Sequence, residues 1–126
     1  MRNWILRLSG LCAIGIAANH SFKGDRLIKE MGLPEKELML ANAFLQIGSV
    51  GWLVGGILLI AAARWTCQIA RNWIVAVYGI MFGVFAVGNF VLNGGKPSFG
   101  WVMLTLIVIL ALVGRRIDDK AVLGDS

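Results

Sequence analysis

Residues 38–63 read LMLANAFLQIGSVGWLVGGILLIAAA, a run without a single ionisable side chain. A helix that crosses the hydrocarbon core of a bilayer, about 30 Å thick, needs roughly 20 predominantly apolar residues. This run meets that length, and three further apolar runs cover about 4–20, 69–92 and 98–114. Short charged segments separate the runs. The alternation predicts an all-α, four-helix transmembrane bundle that forms a single integral membrane domain over residues 1–126.

The composition supports the same fold class. The chain is 58% hydrophobic and only 15% charged, whereas a soluble domain carries about 25% charged residues. The first run contains Arg7, whose side chain can extend to the lipid headgroups and so let the helix begin near Met1. We therefore expect the first run to be a retained span rather than a cleaved signal peptide.

The segment between the first two runs is the longest polar stretch of the chain. Residues 25–31 place Leu27, Ile28 and Met31 on one side of a helix. This pattern predicts a short outer interfacial helix between spans 1 and 2. Gly32 would end it, and Pro34 suits the first turn of the next helix.

Basic residues in short loops set the orientation of a membrane protein. Seven lie on one predicted side and five on the other: Arg2, Arg7, Arg64, Arg71, Arg115, Arg116 and Lys120 against Lys23, Arg26, Lys29, Lys36 and Lys96. The excess predicts both termini in the cytoplasm. The net charge of +5 follows from this topology, and no basic cluster interleaved with aromatic residues indicates nucleic-acid binding.

Polar and aromatic residues gather towards the predicted outer half of the spans. If their helix faces converge, they form a shallow ligand-binding pocket for a small lipophilic molecule such as a lipid, a quinone or a sterol-like compound. The alternative is that they hydrogen-bond one another between helices, with His20 as a helix-end cap. The candidate residues are His20, Asn42, Gln46, Ser49, Tyr78, Phe82, Phe85 and Asn89.

Glycines at helical spacing predict close helix packing. Gly51 and Gly55 lie four residues apart in the second run, and Gly79 and Gly83 do so in the third. Small residues at this spacing let two helix backbones approach each other in a bilayer. We expect packing within the bundle, with self-association as the alternative.

The sequence predicts no catalytic residue, no metal and no cofactor. One histidine and two cysteines do not make a zinc site, a bis-histidine haem site or a di-iron cluster. Spans two to four have no ionisable group near their midpoints, which disfavours transport. The residues do not decide whether the chain is an enzyme, but they favour a non-catalytic role.

The layout resembles the DoxX-like group of small four-helix bacterial membrane proteins. The resemblance covers the segment Met31-Gly32-Leu33-Pro34, the glycine-rich second span, and the stretch from Gly88-Asn89 to the turn Asn93-Gly94-Gly95-Lys96-Pro97-Ser98. Asn89 stands where that group has an arginine. The second span also lacks the Arg and Glu often found near its start in that group. The resemblance implies a bacterial inner membrane location and an accessory role beside redox enzymes or quinone chemistry.

Three function hypotheses follow. The leading one is a non-catalytic accessory subunit of a larger, oxidoreductase-related membrane assembly, with the bilayer and other membrane subunits or a second copy as partners. The second is a stand-alone binder of a small lipophilic molecule in the outer-leaflet pocket. A homo-oligomeric channel or transporter is the third and least favoured.

Overall fold

The computed structural model describes residues 2–117 and contains, over that range, four α-helices and no strand. They are α1 (Arg2–Glu30), α2 (Glu35–Ala62), α3 (Gln68–Leu92) and α4 (Phe99–Gly114). The predicted all-helical, four-helix class is therefore confirmed. Helices α1, α2 and α3 are long and apolar enough to cross a membrane. Helix α4 has 16 residues and rises about 24 Å, which is short for a bilayer core. Lys120 lies outside the described residues.

The predicted interfacial helix between the first two spans is not a separate element. Residues 25–30 continue α1 without a break, so that α1 has 29 residues. Two ion pairs one turn apart support this end of the helix, between Lys29 and Asp25 at 2.8 Å and between Arg26 and Glu30 at 3.1 Å. The chain turns only at Gly32, whose φ of 63° favours glycine, and α2 begins after Pro34.

Helix α1 is the centre of the bundle. It packs against α2 on one side and α4 on the other, and α3 packs mainly against α4. Helices α2 and α3 make few close backbone approaches. We call the end that carries the 31–34 and 93–98 connections the distal end, and the end where α1 begins and α4 finishes the terminal end.

Helices α1 and α2 contact each other closely at two glycines. A Cβ atom added at Gly10 would lie 2.5 Å from the carbonyl oxygen of Gly56, and one added at Gly56 would lie 2.7 Å from the carbonyl oxygen of Gly10. The two backbones therefore touch, which increases dispersion contacts between the helices. Ala13 and Ala17 continue the same buried face of α1.

Of the four glycines predicted to pack helices together, only Gly55 has a close neighbour in the bundle. A Cβ at Gly55 would meet the ring of Tyr78 at 2.5 Å. A Cβ at Gly51, Gly79 or Gly83 would meet nothing within 4 Å. The predicted intrachain packing thus does not occur at these three positions. Helix α1 meets α2 at Gly56 instead, and the ring of Tyr78 fills the space between Gly55 and α3.

Helix α4 is joined to its neighbours by buried hydrogen bonds. The Ser9 hydroxyl of α1 donates to the carbonyl oxygen of Ile107 at 2.8 Å. Arg71, which the sequence analysis counted among the basic residues that set the orientation, is fully buried, and its Nη2 donates to the carbonyl oxygen of Gly114 at 2.7 Å. A cation at the C-terminus of a helix complements the helix dipole and the free carbonyl groups.

We expect Gly56→Ala to destabilise the bundle, because the new methyl group would have to displace the backbone of Gly10 and the side chain of Ile14. Overpacking of this kind costs about 1–3 kcal/mol. The thermal midpoint of the protein in detergent should fall accordingly. Gly48→Ala on the same helix is the matched control, since its Cβ would meet nothing within 4 Å. Its midpoint should stay level or rise with helix propensity; an equal fall in both variants would contradict the packing.

Candidate functional site: a polar cavity at the distal end

A cavity of about 220 Å³ lies among all four helices towards the distal end. Apolar residues of α1 and α4 form part of its wall. Its polar and backbone groups come from Asn19, His20, Lys23, Trp52, Asn89 and Gly100. Pockets for drug-sized ligands have volumes of about 300–1,000 Å³. This cavity is therefore large enough for a headgroup but not for a whole lipid.

The side chain of Trp52 lines the cavity. Its ring centroid is 4.6 Å from that of His20 and 5.0 Å from that of Phe85, which approaches edge-on. Trp52 is only 6% exposed. Its Nε1 atom is buried without a hydrogen-bond partner among residues 2–117. A buried donor without an acceptor is costly, and such sites in native proteins call for an explanation.

Asn89 is fixed by hydrogen bonds to the connection between α3 and α4. Its Oδ1 accepts from the hydroxyl of Ser98 and from Nδ2 of Asn93, the latter at 3.1 Å. The amide nitrogen Nδ2 faces α4, because a Cβ added at Gly100 would lie 3.0 Å from it. Asn89 thus keeps its acceptor for the loop and presents donor hydrogens beside the cavity.

Lys23 and the first turn of α4 lie next to each other. The ammonium nitrogen of Lys23 is 6.0 Å from the centroid of the Phe99 ring. Ser98 is the N-cap of α4, and its hydroxyl accepts from the backbone N–H of Trp101. Gly100, one residue earlier, lines the cavity without a side chain, and the amide of Asn89 lies beside it.

The aromatic residues predicted for the pocket lie between α2 and α3 instead. Tyr78 packs over Gly55, Phe82 is fully buried, and Phe85 contacts Trp52. Together they fill the space between two helices whose backbones are far apart. The predicted aromatic floor is therefore a helix interface. Phe82 and Phe85 both contact Trp52, which lines the cavity, with ring centroids 6.3 Å and 5.0 Å from that of the indole.

The predicted polar residues of α2 do not join His20 and Asn89. Gln46 and Ser49 line a separate groove of about 240 Å³ between α1 and α2. In it, Gln46 Oε1 accepts from the Ser21 hydroxyl at 2.8 Å, and Ser49 donates to its own helix at Leu45. Asn42 lines neither space. The interhelical hydrogen bonding that the sequence offered as the alternative is thus observed at Gln46.

Sequence reasoning missed Lys23 and Trp52. Lys23 lies three residues after His20 and shares its face once α1 is read as continuous. Trp52 is the only tryptophan away from the span ends, since Trp4, Trp65, Trp73 and Trp101 all lie near them. A lone indole N–H in the middle of an apolar helix was the available signal, because it needs an acceptor.

The cavity is lined by hydrogen-bonding groups, with donors on Lys23, Trp52 and Asn89 and groups that can donate or accept on Asn19 and His20. Among residues 2–117, no group of three or more His, Cys, Asp or Glu side chains is placed to hold a metal ion. No carboxylate lines the cavity. The arrangement can hold and orient a polar group, and it offers no nucleophile paired with a base.

Comparison of the chain with protein-family models, with curated proteins and with solved structures found no match. The DoxX-like resemblance stays an interpretation of the sequence, and the site is interpreted from its own geometry.

Proposed function

We propose that this protein is an integral membrane protein that binds the polar end of a small amphipathic molecule in the distal cavity. One observation carries the proposal. The cavity brings polar groups from separate helices around a buried indole whose N–H has no partner among residues 2–117. A bound polar group would satisfy that donor and the amide of Asn89. The volume of about 220 Å³ leaves the apolar part of the ligand to the lipid-facing helix surface.

The position of the cavity supports an amphipathic ligand. It reaches from the middle of α2 to the start of α4, next to helices that are long and apolar enough to cross a membrane. Exposed apolar side chains such as Phe22, Leu27 and Phe99 surround the distal end. A lipid, a quinone or a sterol-like compound combines a compact polar group with a tail suited to such a surface.

We expect a small-molecule adduct on the wild-type chain in native mass spectrometry after gentle extraction from its own membrane. Gly100→Leu should remove the adduct, because the new side chain fills the cavity and meets Asn89. Gln46→Leu is the matched control, since Gln46 lines the separate groove and should leave the adduct in place. Retention by Gly100→Leu, or loss only in Gln46→Leu, would place the ligand elsewhere and refute the proposal.

An accessory subunit of a larger membrane assembly is the second candidate function. Its specific support is the open face of α3, where Gly79 and Gly83 are one turn apart and have no neighbour within 4 Å of an added Cβ. Small residues at this spacing suit a helix of another subunit or of a second copy. The redox character of such an assembly rests on the DoxX-like resemblance alone.

We expect the double variant Gly79→Leu, Gly83→Leu to lose co-migrating subunits on native gels, because leucine side chains would hold a partner helix away. Val77→Leu is the control, because Val77 is exposed on the opposite side of the same helix. An unchanged assembly in the double variant would remove the support for this candidate.

A further inference from the structure

The distal cavity is lined by one charged side chain, and that side chain is basic. Lys23 lines the cavity, and no carboxylate does. The nearby acids of α1 are engaged elsewhere, Asp25 with Lys29 at 2.8 Å and Glu30 with Arg26 at 3.1 Å. Within residues 2–117, Lys23 has no ion-pair partner, and its ammonium group lies against the ring of Phe99. The cavity thus has a fixed positive charge without a built-in counterion.

The start of α4 adds positive character to the same wall. The first N–H groups of a helix have no intrahelical acceptor, and the helix dipole is positive at that end. The first α-helical hydrogen bond of α4 runs from the N–H of Val102 to the carbonyl of Ser98, and the Ser98 hydroxyl accepts from the N–H of Trp101. The N–H groups of Phe99 and Gly100 come before these two donors in the helix. A lysine at this end of a helix is electrostatically unfavourable until an anion joins it.

Two uncharged residues of the cavity, Trp52 and Asn89, offer hydrogen-bond donors as well. The Nε1–H of Trp52 is buried without an acceptor among the described residues, in a side chain that is 6% exposed. The Oδ1 of Asn89 is used by Ser98 and Asn93, which leaves its amide hydrogens beside Gly100. A ligand that only donates hydrogen bonds would leave these groups unsatisfied. A ligand with several acceptor oxygens would satisfy them together.

We propose that the distal cavity selects an anionic headgroup, a carboxylate or a phosphate, held by the ammonium of Lys23, the indole N–H of Trp52 and the first N–H groups of α4. This inference rests on the proposed ligand-binding function and adds the chemical class of the ligand. The anion has two sources: the headgroup of an amphiphile from the bilayer, or a free anion from the water at the distal end.

The test measures binding of oleate and of its uncharged methyl ester to the full chain in a neutral maltoside detergent, with acetate and inorganic phosphate as free anions. We expect oleate to bind at least about tenfold more tightly than methyl oleate, the size of a charge-assisted hydrogen bond. Added salt should weaken the binding of oleate but not that of the ester. Acetate or phosphate binding as tightly as oleate would identify water as the source; binding of oleate alone would identify the bilayer.

Two variants test whether Lys23 and Trp52 contact the anion. Lys23→Gln should weaken oleate binding about tenfold and leave methyl oleate unchanged. Trp52→Phe, which keeps an aromatic ring against His20, should also weaken the binding of oleate and leave the binding of methyl oleate unchanged. Lys29→Gln is the matched control, since Lys29 is paired with Asp25 on the same helix and lies outside the cavity. Its oleate affinity should match that of the wild type.

The outcomes separate this inference from the proposed function. Equal binding of oleate and methyl oleate, both lost in Gly100→Leu, would overturn the anion selectivity and leave the cavity as a ligand site. Oleate binding that survives Gly100→Leu would overturn both. No binding of oleate, acetate or phosphate would overturn the anion inference, while the adduct measured on the native protein decides the function separately.

Discussion

The contact between the backbones of Gly10 and Gly56 is the constraint on which the rest of the bundle depends. Any side chain larger than hydrogen at either position would separate α1 from α2, because each glycine lies against the carbonyl oxygen of the other. In a bilayer, where lipid tails are as apolar as the helices, such close backbone packing supplies association that the hydrophobic effect does not. The crossing keeps α1 and α2 together towards the distal end, where His20 of α1 meets Trp52 of α2 at 4.6 Å.

The third helix is held by a different kind of contact. Between α2 and α3 the rings of Trp52, Tyr78, Phe82 and Phe85 fill the gap, so the two backbones stay apart. Helix α3 is attached instead through α4, where Gln68 Nε2 donates to the carbonyl of Arg115 and Gln68 Oε1 accepts from the N–H of Ile117, both at 2.8 Å. Small residues therefore bring α1 and α2 into contact, whereas aromatic rings hold α2 and α3 apart. The distal cavity lies where these two interfaces meet.

The two ends of α4 differ in how their backbone groups and dipole are complemented by neighbouring side chains. This difference connects the fold to the proposed chemistry. At its C-terminus, Arg71 and Gln68 donate to carbonyl groups, and Arg71 places positive charge where the helix dipole favours it. At its N-terminus, Ser98 caps the N–H of Trp101, and the neighbouring cation is Lys23, on the unfavourable side of the dipole. Side chains of the protein itself stabilise the C-terminal end of α4. The N-terminal end would be stabilised by a ligand acceptor that carries negative charge.

The sequence by itself determined the helices. Apolar runs long enough to span a bilayer, separated by charged and glycine- or proline-containing turns, placed α2, α3 and α4 within a few residues of their observed bounds. It did not determine that α1 continues to Glu30, since the ion pairs at 25–30 support an interfacial helix and a longer span equally well. The sequence placed His20 and Asn89 in one candidate site. It also placed Gln46 and Ser49 in that site, although these two line a separate groove in the structure. Only the tertiary structure decided which face of each helix turns inward. Hydropathy is similar on all sides of an apolar helix, and the faces are chosen by where glycine backbones can touch and where aromatic rings keep helices apart.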